Sequence, residues 1–129
     1  MGILIQIIDV PLDRTLYDQK APEKNIGAIV EFLGIVRDDE DGKIIKGIEY
    51  EAFREMAEHQ LTLLSEKIVK KYAISDFLCV HRIGFIEAGQ PSLFIRASAS
   101  HREEAFEGVK EFITELKKCV PIWKHPVFV

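Results

Sequence analysis

Two lysines bracket a proline near the end of the chain, in Glu115-Leu116-Lys117-Lys118-Cys119-Val120-Pro121-Ile122-Trp123-Lys124. Three ammonium groups, a thiol and the only tryptophan fall within ten residues of an otherwise acidic protein. Pro121 has no N–H and its ring clashes with the preceding turn, so a helix arriving there stops near Lys118 and residues 120–124 run extended. Lys117 in the last helical turn and Lys124 beyond the proline can then converge on one spot. Local basic clusters of this kind in an acidic protein hold a small anion. A plainer reading also covers Lys117 and Lys118, since cations in a last turn offset the negative end of the helix macrodipole. Cys119 reads two ways, as a thiol activated by Lys118 or as a small residue packed after a helix end.

A second group opens the preceding helix, at Ser100-His101-Arg102-Glu103. Free amides and the positive macrodipole end favour an anion there. Acids are preferred at such positions, so His101 and Arg102 run against the local field. They form an anion site, or Arg102 pairs with Glu103 or Glu104 on the surface. Arg37, at the mouth of the charged turn Arg37-Asp38-Asp39-Glu40-Asp41-Gly42-Lys43, reads first as a surface ion pair worth roughly 0–1 kcal/mol. His81 and Arg82 lie mid-strand and suit an interior role better than catalysis. His59, between Glu58 and Gln60, faces solvent. The histidines at 59, 81, 101 and 125 show no HxxxH or HExxH spacing, which argues against a metal site. No GxGxxG or Walker pattern is present.

The positioning elements follow from patterning. At 129 residues, 47% apolar and 29% charged, the chain suits one soluble domain spanning 1–129. A net charge of −4 argues against general nucleic-acid binding. Cys79 and Cys119 form no CxxC, so a reducing cytoplasm is the default compartment. The apolar start has no basic n-region and meets Asp9 early, which fits a first strand rather than a signal peptide or membrane span.

Leu12 and Leu16 behind Pro11 predict a short helix over 11–20. A strand over 26–36 carries apolar residues on both faces and is covered on both, at least in part. Asp41-Gly42 is a hairpin signal joining that strand to another over 44–53. A long helix over 54–72 shows Met56, Leu61, Leu64, Ile68 and Tyr72 as its apolar stripe, widened by Leu63. Strands over 76–86 and 92–99 follow. Ser100 and Glu103 form a capping box ahead of a helix buried through Phe106, Val109, Phe112, Ile113 and Leu116. The order β-α-β-β-α-β-β-α with an extended tail is α+β.

Taken together, several stretches resemble the large, catalytic subunit of molybdopterin synthase. They are Gly27-Ala28 through Phe32-x-Gly34-x-Val36-Arg37, then Tyr50-Glu51-Ala52-Phe53 with Met56-Ala57, then Val80-His81-Arg82-Ile83-Gly84. Ser100-x-Arg102 and Leu116-Lys117-x-x-x-Pro121-x-Trp123-Lys124 complete the series, which covers residues 26 to 124. The resemblance implies an α/β hammerhead-like fold with an additional antiparallel sheet.

It also implies a sulfurtransferase of molybdenum cofactor biosynthesis. Sulfur passes from the C-terminal thiocarboxylate of a small ubiquitin-like subunit to cyclic pyranopterin monophosphate (precursor Z), forming the molybdopterin dithiolene. The pterin is the substrate, the partner supplies the sulfur, and no separate cofactor or metal is implied. Two large subunits make a central homodimer inside a heterotetramer, without nucleic acid or membrane.

By motif, Lys117 and Lys124 match the catalytic lysines, and Arg37, His101 and Arg102 match the substrate-binding cations. The resemblance further implies that His101 and Arg102 reach into the neighbouring subunit's pocket. The chain departs from the family at its end. Trp-Lys-x-Glu is common there, whereas Trp123-Lys124 is followed here by His125-Pro126. The alternative function is therefore a non-catalytic pterin-phosphate-binding scaffold that has lost efficient sulfur transfer, and a third reading makes Cys119 a persulfide carrier.

Overall fold

The computed structural model describes residues 2–18 and 21–129. Its first sheet holds β1 (Gly2–Ile8), β2 (Ala28–Ile35), β5 (Ile74–Arg82) and β7 (Pro91–Ala99) in the order β1-β5-β7-β2. β1 runs parallel to β5, while β7 is antiparallel to both β5 and β2. Alternation along β7 decides what each face meets. Leu93, Ile95 and Ala97 join the main core beneath the helices, and Phe94 points the other way to Leu12, Leu78 and Val80.

α1 (Arg54–Tyr72) and α2 (Arg102–Cys119) cover the main-core face. Ala57, Leu61, Ile68 and Val69 face inward from α1, and Val109, Phe112 and Leu116 from α2. Phe112 stacks at a tilt on Phe77, with ring centroids 4.7 Å apart. Gly108 lets α2 approach the sheet, because a Cβ there would come within 2.4 Å of Ile74 Cδ1.

A second, antiparallel sheet is built around β4 (Lys43–Ala52). β3 (Asp39–Glu40), β6 (Gly84–Glu87) and β8 (Ile122–Phe128) each pair antiparallel with β4; β6 and β8 do so along the same stretch of it. Val36, Ile45, Ile48 and Ile86 form its own small core. The described residues are thus α+β with two α-helices and two sheets, as the patterning and the resemblance imply.

Several expectations are corrected. The segment over 11–20 forms no α-helix among its described residues, only a single 3-10 turn at Arg14–Tyr17 whose start is capped by the Asp13 carboxylate; Gln19 and Lys20 lie outside the described residues. The strand over 76–86 is two strands in different sheets, because the chain turns at Ile83 and Gly84 takes a φ of 89°. Asp41-Gly42 does make a tight turn with both residues at positive φ. That turn joins β3 to β4, whereas β2 stays in the first sheet.

Ile29 and Ile35 on β2 are exposed, since β2 is an edge strand and only Leu33 of that face reaches the second cluster. Met56, Leu63 and Phe106 are likewise exposed rather than part of the helix stripes. Ala57, Ser65 and Val69 on α1, and Ala105 and Gly108 on α2, take the inward positions. The Ser100–Glu103 capping box is not formed: His101 is the N-cap, extended and without a side-chain cap bond, and Glu103 faces Arg102 instead.

Candidate functional site

The end of α2 is terminated by the proline, one residue later than the spacing predicts. Val120 is already extended, and its N–H still closes on the Leu116 carbonyl at 3.3 Å. Ile122 N–H then donates to the Val120 carbonyl at 2.8 Å across Pro121, a three-residue turn that suits proline's fixed φ. The chain reverses into β8, where Lys124 lies opposite Tyr50 of β4. Lys117 and Lys124 are thereby brought to the same cavity, as the sequence predicts.

That cavity is about 680 Å³ and lies between the two sheets and the end of α2. Arg37, Lys117 and Lys124 supply its positive charge, Tyr50, His81 and Ser92 its neutral polar groups, and Phe32, Leu33, Leu93, Ile113 and Leu116 much of its apolar wall. Arg37 arrives there because the residue before it is clamped. Val36 N–H donates to Gln90 O at 3.0 Å, and Gly89 N–H donates to Val36 O at 2.7 Å. Arg37 therefore lines the site, and among the described residues it has no carboxylate partner of the kind its acidic neighbours suggest.

Lys124 is paired. Its Nζ stands 3.7 Å from Glu40 Oε2, so an acid does stand beside this lysine, contributed by β3 rather than by the residues following it. Tyr50 is half-buried, and that burial raises its phenol above the ordinary value. A bond with Ser92 opposes the rise, and the Glu40 charge adds to it. It remains an O–H donor at neutral pH.

His81 is buried, on a central strand, with its ring edge-on to Tyr50 at 5.3 Å between centroids. Burial lowers its pKa, and its bond to the Arg82 carbonyl only partly restores it. The interior role read from the sequence is right, but the ring also lines the cavity. Neither His81 nor Tyr50 stood out as a site residue. The available signal was a single imidazole in an otherwise apolar run, Phe77-Leu78-Cys79-Val80-His81.

His101 and Arg102 are not in this cavity. They begin α2, sixteen residues before Lys117 at His101, which at 1.5 Å per residue is about 24 Å away. Both are exposed; Arg102 Nε lies 3.6 Å from Glu103 Oε1, the surface pairing foreseen as the alternative, and His101 Nδ1 lies 3.6 Å from Glu104 Oε2. Cys119 is exposed and its Sγ contacts Glu115 Oε2 at 3.7 Å. Another hollow of about 400 Å³ includes Arg96, but that guanidinium is committed to Glu31 and to the Tyr17 carbonyl. The cavity at the end of α2 is the better anion site.

Comparison with known proteins points the same way. A model of the MoaE protein family matches residues 7–119. The molybdopterin synthase catalytic subunit of Thermoplasma volcanium is 44% identical over 101 residues, covering 78% of this chain and 74% of that protein. The subunit of the same name from Bacillus subtilis is 32% identical over 123 residues, covering 95% and 78%. Among solved structures, molybdopterin synthase from Staphylococcus aureus matches with a TM-score of 0.87 at 31% identity, covering 95% of this chain and 90% of that one. A complex of subunits 1 and 2 of the molybdopterin-converting factor from Helicobacter pylori includes a chain matching with a TM-score of 0.76 at 27% identity, covering 97% and 89%.

Proposed function

The chain belongs to the MoaE protein family, and from that premise we propose that it is the catalytic subunit of a molybdopterin synthase, a sulfurtransferase of molybdenum cofactor biosynthesis. Its partner is a small ubiquitin-like subunit whose C-terminal thiocarboxylate enters the cavity at the end of α2. Its substrate is cyclic pyranopterin monophosphate (precursor Z), and the product is the molybdopterin dithiolene. The pterin is substrate and the sulfur comes from the partner, so no further cofactor or metal takes part. The setting is the cytoplasm; no helix among the described residues is long and apolar enough to cross a membrane.

One observation carries this reading: Lys117 of α2, Lys124 of β8 and Arg37 after β2 line one cavity. Phosphate and thiocarboxylate are both anions, and charge-assisted hydrogen bonds to them are the strong ones. Lys124 holds the thiocarboxylate and stabilises the oxyanion that forms as water attacks its acyl carbon. By then the sulfur has bonded to the pterin in place of an oxygen substituent, so the acyl carbon–sulfur bond that breaks leaves sulfur on the pterin and an ordinary carboxylate on the partner. Lys117 moves protons at the pterin or transiently accepts the acyl group. Arg37 binds the phosphate, joined by His101 and Arg102 from the second copy of a central homodimer within a heterotetramer.

Reconstitution tests the reading. Purified chain, thiocarboxylated small subunit and precursor Z should yield molybdopterin, read as its oxidised fluorescent derivative. Lys117→Ala should lower turnover by about 100-fold or more, the usual contribution of a proton-transfer group, while small-subunit binding persists. Turnover near normal in that variant removes Lys117 from the mechanism. A stable complex that forms no product with the unaltered chain favours the non-catalytic scaffold.

A further inference from the structure

The polar floor of the cavity has no role in the scheme above. His81 sits on β5, flanked in register by Ile7 of β1 and Leu93 of β7, so its backbone is held on both sides by sheet neighbours. Its Nδ1 lies 2.8 Å from the Arg82 carbonyl oxygen. A carbonyl only accepts, so Nδ1 carries the hydrogen and Nε2 is left with a lone pair. The ring lines the cavity, and Nε2 is not among the orphaned buried polar atoms of the described residues, which are Arg82 Nε, Ser98 Oγ and Glu104 Oε2. Tyr50, edge-on against the ring, fixes its plane.

We propose that His81 is a further catalytic residue of this site, a neutral imidazole whose Nε2 accepts a proton from the bound pterin substrate and returns it within the same cycle. This rests on the sulfur-transfer reading above. The step is a proton transfer alone. An O–H bond of the substrate breaks, its electron pair stays on the substrate oxygen, and the proton forms a bond with the Nε2 lone pair. As a sulfur electron pair forms the new C–S bond, the pair of the breaking C–O bond goes to that same oxygen, which takes the proton back from the imidazolium and leaves as a hydroxyl group.

The surroundings suit a base that does not keep its proton. Burial disfavours the imidazolium; the charged side chains that line the same cavity are Arg37 after β2, Lys117 on α2 and Lys124 on β8, with Glu40 of β3 beside Lys124. Arg82, next along β5, is not among the residues that line the cavity. The Tyr50 phenol of β4 and the Ser92 hydroxyl of β7 are neutral.

Two measurements decide it. Nitrogen NMR on the unaltered chain, with histidines labelled, should show His81 with a protonated Nδ1 and an unprotonated Nε2 at neutral pH. The opposite tautomer, or an imidazolium, overturns the proposal without any activity measurement. In the reconstituted synthase, His81→Asn keeps an amide N–H for the Arg82 carbonyl but removes the base. It should lower kcat about 100-fold or more, leave KM within about threefold, and abolish the acid limb expected in the pH–rate profile of the unaltered chain. His81→Asn with kcat within about threefold and an unchanged profile overturns it too. If His81→Asn does not fold, the tautomer and the acid limb of the unaltered chain still decide. Absence of product from the unaltered chain sinks the sulfur-transfer reading and this role with it, a result distinct from a variant that alone is slow.

Discussion

Lys124 has a carboxylate partner before any substrate arrives. Its distance to Glu40, 3.7 Å, and the partial exposure of both side chains make this an ordinary surface-type pair, worth roughly 0–1 kcal/mol. An incoming thiocarboxylate in a drier cavity competes with it readily. Glu40→Gln should therefore shift the unfolding free energy by no more than about 1 kcal/mol, checked by denaturant titration. A larger loss would mean that Glu40 is part of a tighter network.

The two lysines of the cavity were legible in sequence because helix, proline and extended tail form one local geometry, so Lys117 and Lys124 could be related without tertiary information, whereas Arg37 was placed with them only by the family resemblance. Glu40 was not legible, although it stands in the same charged turn as Arg37. Its relation to Lys124 depends on β3 and β8 both pairing with β4, which no local spacing encodes. His81 was hidden for a similar reason: a strand pattern says that a residue is interior, but not that the interior opens on a cavity.

At the scale of elements, β4 determines whether the site exists, since it carries Tyr50 and pairs with β8 and β6 on opposite edges. Gly47 stands in register with Glu87 of β6 and Val127 of β8. A Cβ there would sit 2.2 Å from the Ile86 carbonyl oxygen, a backbone atom with no rotamer to escape into. Gly47→Ala should cost about 1–3 kcal/mol, the usual range for overpacking, read as a lower denaturation midpoint. Because β8 holds Lys124, it should also lower activity in reconstitution. An unchanged midpoint would show that the β4–β6 ladder gives way easily.

Both long helices could be read from period alone, and α1 has the bounds that its pattern predicts. Their stripes were less legible, because the small residues Ala57, Ala105 and Gly108 mark the closest approaches and large exposed ones such as Met56 and Phe106 do not. The break between β5 and β6 was missed because Ile83 and Phe85 continue the apolar run across it. Only Gly84, free to take positive φ, marks the change of sheet.

For the whole molecule, the separation of the basic groups along α2 sets the number of chains a complete site needs. Lys117 and Arg102 stand fifteen residues apart on one straight helix, about 22 Å, so a pyranopterin cannot touch both within a single protomer. If His101 and Arg102 bind its phosphate, they do so from a second copy, and a two-fold dimer would give two such composite sites. Co-expression tests this directly. Lys117→Ala and Arg102→Ala should each be defective as homodimers. In the mixed dimer one site carries both defects and the other carries neither. Random pairing makes half the dimers mixed, so roughly a quarter of all sites should be intact, and activity should recover to about that fraction of normal. Recovery in this range requires residues from two chains in each site. No recovery, with mixed dimers present by mass, would confine Arg102 to its own protomer, where it is held by Glu103, and would leave the phosphate to Arg37 and the two lysines.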